Sequence, residues 1–167
     1  HHLELAIKLY LGQPHCSGAD LTHWLGPGSR DRLDIKLAHL GQHQLPLSAS
    51  AQAQHRLTAL DIHQPQAALW LAGYLFYPWQ HAYAAPPGGN PAHLRGRWLH
   101  RADWAHFANQ NPGHWQPLPR HAWLAPARIE EQHVLTREQL SQWLTTLPSD
   151  ANAQLLVRLI EGPEKDW

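Results

Sequence analysis

The chain has 167 residues, one cysteine, no methionine, and 13 basic side chains balanced by 13 acidic ones. That length suffices for one domain with a real core, while a single thiol excludes an internal disulfide or a thiolate zinc cluster and fits a reducing, cytoplasmic setting. No stretch approaches the roughly 20 uninterrupted apolar residues of a membrane helix, and the N-terminus lacks the basic, apolar and small-residue pattern of a signal peptide.

The sequence opens inside a strand. Leu3, Leu5, Ile7, Leu9 and Leu11 alternate with Glu4, Ala6, Lys8 and Tyr10, so the two sets project to opposite faces. A carboxylate and an amine on one face can hold a divalent metal and a phosphate. An ordinary half-buried strand whose polar face meets water explains the same pattern. Starting in mid-strand and without methionine, the chain is expected to be the C-terminal portion of a larger protein. Gly12 to Gly28 reads as a loop with Pro14, Gly18, Gly26 and Pro27 as turn residues. Ser29 is the expected N-cap of an amphipathic helix carrying Leu33, Leu37 and Leu40, which Gly41 ends or bends.

Residues 48 to 66 are rich in Ala, Gln, Ser and His without periodicity and read as a surface connection. Ala67 to Tyr77 is nearly continuous apolar and aromatic sequence, as expected for a strand covered on both faces. Pro78 to Gly96 is a flexible excursion. Short strands are expected at Arg97 to Arg101 and His121 to Leu124, with a helical turn at Ala102 to Ala108 between them. Thr136 and Gln139 fit a capping box and Leu135 and Leu140 its hydrophobic staple, ahead of a helical face of Leu140, Trp143, Leu144 and Leu147 that Pro148 stops. A final strand is expected over Gln154 to Ile160. Strand and helix alternate, which predicts an α/β (mixed α+β) class: a single domain, 1–167, with a central sheet flanked by helices.

Charge is unevenly spread. Residues 92 to 128 carry Arg95, Arg97, Arg101, Arg120 and Arg128 against Asp103 alone, and residues 129 to 167 are acidic in the same measure. The basic segment can attract phosphates or simply pack near the acidic one. Trp98, Trp104, Trp115 and Trp123 lie within it, where indoles stack on bases or fill a core. Asp31, Asp34 and Lys36 can be partners of the Glu4 and Lys8 site, or a solvated first turn favoured by the helix dipole. Gln44 would face that site if the helix continues past Gly41. His39 and His43, four apart, have zinc-chelating spacing but no accompanying HExxH glutamate.

The segments HLELAIKLYLG (His2 to Gly12), WLGPGSRDRLDIKLAHLGQHQLPLS (Trp24 to Ser48), GYLFYP (Gly73 to Pro78), GRW (Gly96 to Trp98) and WLAP (Trp123 to Pro126) together resemble a bacterial domain of unknown function, DUF1853. The resemblance implies a distant relation to the PD-(D/E)XK nuclease-like superfamily, whose core runs helix, three strands, helix, strand. Leu3 to Leu11 is then the third core strand, Ser29 to Gly41 the following helix and Ala67 to Tyr77 the fourth strand of an incomplete restriction-endonuclease-like core.

In such nucleases an aspartate of the second strand and an acid of the third bind magnesium, while a lysine positions or activates the attacking water. On that likeness Glu4 is the metal-holding acid and Lys8 the catalytic lysine of a magnesium-dependent phosphodiester hydrolase. Arg95, Arg97 and Arg101 would then grip its DNA or RNA. The usual acid and lysine are two residues apart, about 6.6 Å, whereas Glu4 and Lys8 are four apart, roughly 13 Å between Cα atoms. The aspartate-bearing strand would precede residue 1. A nuclease-like fold that only binds nucleic acid and a protein-interaction or structural module are the alternatives.

Overall fold

The alternation at the start of the chain produces an extended strand, β1 (His2–Gly12), in the computed structural model, which describes residues 1–27, 30–123 and 129–159. The chain divides into two compact units, His1–Trp98 and Leu99–Trp167. The first holds a four-stranded mixed sheet of order β2-β1-β3-β4. In it β2 (Trp24–Leu25) is antiparallel to β1, while β3 (Ala67–Pro78) and β4 (Leu94–Trp98) continue in parallel.

A parallel neighbour requires a crossover. It consists of α1 (Leu33–His39), a π-helical turn (Leu40–Gln44), a 3-10 turn (Leu45–Ala49) and α2 (Ala51–Ala59). The expected cap Ser29 lies outside the described residues; α1 has Arg32 at its N-cap and no side-chain cap. Gly41 falls in the π-helical turn, where the helix changes its winding rather than ending. Helix α2 occupies what reads in the sequence as a surface connection. Ser50 starts it by accepting from the Ala53 N–H at 3.2 Å, and none of its residues is buried.

Residues opposite one another in a parallel register share a face. Glu4, Ala6, Lys8 and Tyr10 therefore align with Leu69, Leu71, Gly73 and Leu75, and Leu75 and Tyr77 in turn with Arg95 and Arg97. This is the covered face: Tyr10, Trp24, Leu33 and Tyr77 form its core, with Leu37, Leu71 and Leu75 packed against them. The other face is the open one, where Leu3, Leu5, Ile7 and Trp70 are 53% to 63% exposed. The expectation of a polar face meeting water is thus reversed, and β3 is not covered on both sides at Trp70. One consequence is measurable by denaturant titration. Leu40→Ala, at a side chain with 0% exposure, is expected to cost about 2–5 kcal/mol. Leu5→Ala, by contrast, should cost under about 1 kcal/mol, since much of that side chain already meets water.

The second unit contains α3 (Trp104–Gln110), α4 (Arg137–Thr146) and an antiparallel pair of short strands, β5 (Trp115–Pro117) and β6 (Leu156–Arg158). Thr136 and Gln139 close the expected capping box at α4. Trp104, Phe107, Ala108, Leu140 and Leu144 are buried. Gln116, also buried, satisfies its amide by exchanging two hydrogen bonds with the Leu135 backbone, at 2.9 and 3.0 Å. The strand expected at Arg97 to Arg101 is β4, three residues earlier. At His121 the chain makes a 3-10 turn (Arg120–Ala122) after Pro119 instead of a strand, and Leu124 lies outside the described residues. So does Ile160, at the end of the expected last strand. Among the described residues no helix is long and apolar enough to cross a membrane.

Candidate functional site

Lys8 and Glu4 leave the same face of β1, and Gly73 of β3 stands directly opposite Lys8. Gly73 has φ +129°, and a Cβ built there would lie 1.8 Å from the Lys8 carbonyl oxygen. The two backbones close tightly at this level, and β3 sets no side chain beside the lysine.

Asp31 completes the local pairing. The chain leaves β2 and returns through an isolated bridge between Leu25 and Arg32. That bridge sets Asp31, just before α1, over Lys8. The ammonium forms a half-buried ion pair with Asp31 Oδ2, and the Tyr10 hydroxyl reaches Oδ1 of the same carboxylate at 3.4 Å. Burial, and after it the Asp31 charge, pushes the Tyr10 hydroxyl well above its ordinary range, so it stays a neutral donor. Asp34 behaves differently. Its carboxylate takes two bonds from the Arg32 guanidinium, at 2.9 and 2.6 Å, and that pairing holds it below the usual carboxylate value. The two aspartates that look alike in the sequence therefore divide: Asp31 belongs to the lysine, Asp34 to the helix end.

Glu4 lies two strand positions from Ala6 and four from Lys8, half-buried, and outside every ion pair among the described residues. Two further oxygens of this unit, Gln44 Oε1 and the Tyr83 hydroxyl, are shielded from solvent without a hydrogen-bond partner among the described residues, and of these only the Gln44 oxygen is solely an acceptor. A magnesium ion takes one or two carboxylates and completes its shell with water and phosphate oxygens. A free carboxylate and a buried amide oxygen are hard donors of that type, so the chemistry of these residues fits the ion. Among the described residues no three His, Cys, Asp or Glu side chains gather as metal ligands. The His39 and His43 rings sit 5.1 Å apart with no such third ligand.

Arg95 and Arg97 share the face of Lys8 across β3 and are exposed. The Arg95 guanidinium lies over the Tyr77 ring, 4.3 Å from its centroid, a cation–π contact that pre-orients it. Tyr77 in turn is fixed by His93. The His93 Nδ1 is 2.7 Å from the Asn90 carbonyl, which can only accept, so Nε2 is the unprotonated nitrogen that receives the Tyr77 hydroxyl at 2.8 Å. Arg101 belongs to the second unit, where it donates to the Leu147 and Pro148 carbonyls beyond α4 at 2.6 and 3.3 Å. The four tryptophans of the basic segment are anchored internally: Trp98, Trp104, Trp115 and Trp123 donate their indole N–H to Gly12, Ser141, Asn111 and Leu118.

A family model described as a domain of unknown function, DUF1853, matches residues 1–167. The chain belongs to that family. DUF1853 membership therefore covers both compact units and every residue of the Lys8 and Asp31 cluster. No curated protein and no solved structure matches the chain. The sequence offers both Asp31 and Gln44 as neighbours of the site. The tight approach of Gly73 left no signal beyond a glycine in an apolar run.

Proposed function

We propose that this DUF1853 chain handles the phosphodiester of a nucleic acid and, with magnesium, hydrolyses it in a reducing, cytoplasmic setting. The observation that carries the reading is the shared face: Glu4 and Lys8, the latter paired with Asp31 from the crossover, and Arg95 and Arg97 all project from one side of β1 and β4. Glu4 is the carboxylate that would hold the ion, with Gln44 Oε1 the other fitting oxygen. A bound magnesium supplies Lewis-acid charge and acidifies water. Lys8 supplies a compact cation that can take a phosphate oxygen or orient the incoming water, and Asp31 keeps that cation in place. Arg95 and Arg97, two strands across from β1 at about 4.8 Å per strand, offer guanidinium groups to neighbouring phosphates of the same backbone.

The test is cleavage of single- and double-stranded DNA and RNA by the full natural protein with magnesium or manganese. Glu4→Ala and Lys8→Ala are each expected to lower the rate about 100-fold or more, as removal of a charge-stabilising group does. Unchanged cleavage in both variants would remove the proposal. Salt-sensitive binding that is lost in Arg95→Ala and Arg97→Ala without any turnover would instead establish a nucleic-acid-binding module.

A further inference from the structure

The sheet-facing stripe of α1, Leu33, Leu37 and Leu40, continues at Gln44 with successive spacings of four, three and four. Leu33 and Leu40 are buried and Leu37 packs on the core, so Gln44 takes the place of the next inward leucine. Its Oε1 is closed off from solvent and accepts nothing. An orphaned buried acceptor is destabilising, and a leucine of similar volume would avoid that cost. The backbone at this point is a π-helical turn, Leu40–Gln44, a rare winding that concentrates at functional sites.

Two anchors give its level over the sheet. Asp31, just ahead of α1, holds Lys8; at the other end of the run Ser48 Oγ meets the His2 ring at 3.1 Å. Gln44 precedes Ser48 by four residues of mostly 3-10 backbone, about 8 Å at about 2.0 Å per residue. Two residues of strand span about 6.6 Å, so Gln44 comes down near the level of Glu4. Both sit on the covered face. Neither the Glu4 carboxylate nor the Gln44 oxygen has a donor among the described residues, and two acceptors without a donor select a cation over an anion or a second carboxylate.

We propose that Gln44 is a second protein ligand, through Oε1, of a divalent-cation site at Glu4. The inference rests on the reading of Glu4 as a metal-holding residue but not on turnover. A neutral amide beside a single carboxylate leaves most of the ion's charge and coordination positions for water and phosphate, as a magnesium site acting on phosphodiesters needs.

The experiment is manganese titration of the metal-stripped full protein. Electron paramagnetic resonance reads free manganese, magnesium serves as competitor, and the melting temperature is followed in parallel. One saturable manganese per chain is expected. Gln44→Leu should weaken it about 10-fold or more while melting, without metal, at or above the wild-type temperature, because the orphan acceptor is gone. Gln44→Glu should bind at least as tightly as wild type, and Glu4→Gln should lose the site. Wild-type affinity retained in Gln44→Leu, or no saturable manganese in the wild type, overturns the inference. So does a rise in stability of Gln44→Leu that metal leaves unchanged, the signature of a water in the same place. Manganese binding with this pattern in a protein that cleaves neither DNA nor RNA retires the nuclease reading and leaves the Gln44 site in place. Cleavage that persists undiminished in Gln44→Leu does the opposite.

Discussion

Gly73→Ala is expected to destabilise the first unit by about 2–6 kcal/mol, a large part of the roughly 5–15 kcal/mol that holds a domain together. Two costs combine. An L side chain at φ +129° is strained by about 1–3 kcal/mol, and the added methyl would lie 1.8 Å from the Lys8 carbonyl oxygen, so β1 must move away. Overpacking of that kind costs about 1–3 kcal/mol more. The damage is local to the β1 and β3 ladder and therefore also displaces Lys8. Gly41→Ala is the control: nothing lies within 4 Å of its Cβ position, and in a helical turn alanine should stabilise by about 0.5–1 kcal/mol. Denaturant midpoints of the two variants would show the contrast, and a Gly73→Ala midpoint equal to wild type would overturn the argument from close approach.

Much of this architecture can be read from the sequence where a single signal dominates. Alternation identifies β1, a long apolar run identifies β3, and the Thr136 and Gln139 capping box identifies α4, because each depends on local geometry alone. Helix α2 escapes that reading for a physical reason. It buries no residue, so it has no apolar stripe, and only the Ser50 cap and the helix propensity of Ala and Gln reveal it. The turn at His121 looks like a strand because Trp favours sheets, while Pro119 and the local backbone pairing from Trp123 N–H to Arg120 decide otherwise.

The inverted face of β1 is the more instructive difference. Alternation separates two faces without saying which one the crossover covers. Here α1 packs over Tyr10, Leu71, Leu75 and Tyr77, which puts Glu4 and Lys8 on the covered side of the sheet and leaves Leu3, Leu5 and Ile7 facing outward. Desolvation then shapes the chemistry: an amine under cover requires a counter-charge, and Asp31, which the Leu25 and Arg32 bridge brings overhead, provides it. The candidate site thus follows from which face is covered, and that is a property of tertiary packing.

On the proposed nuclease reading, Lys8→Met is expected to lower phosphodiester cleavage about 100-fold or more, and Asp31→Asn about 10- to 100-fold, with the double variant no worse than Lys8→Met alone. The reason is that Asp31 acts through the ammonium it holds: once the lysine is gone, removing its partner has nothing further to disturb, and the two losses do not add. On that reading Asp31 positions the lysine, so its replacement should fall on kcat with KM little changed. Asp31→Glu, which keeps the charge, should recover much of the rate. A structural role would look different. It would lower the melting temperature of Asp31→Asn in proportion to the lost activity, and Asp31→Glu would rescue neither. Additive losses in the double variant would show that the two side chains act separately, and the half-buried pair would then be a feature of folding rather than of phosphate chemistry.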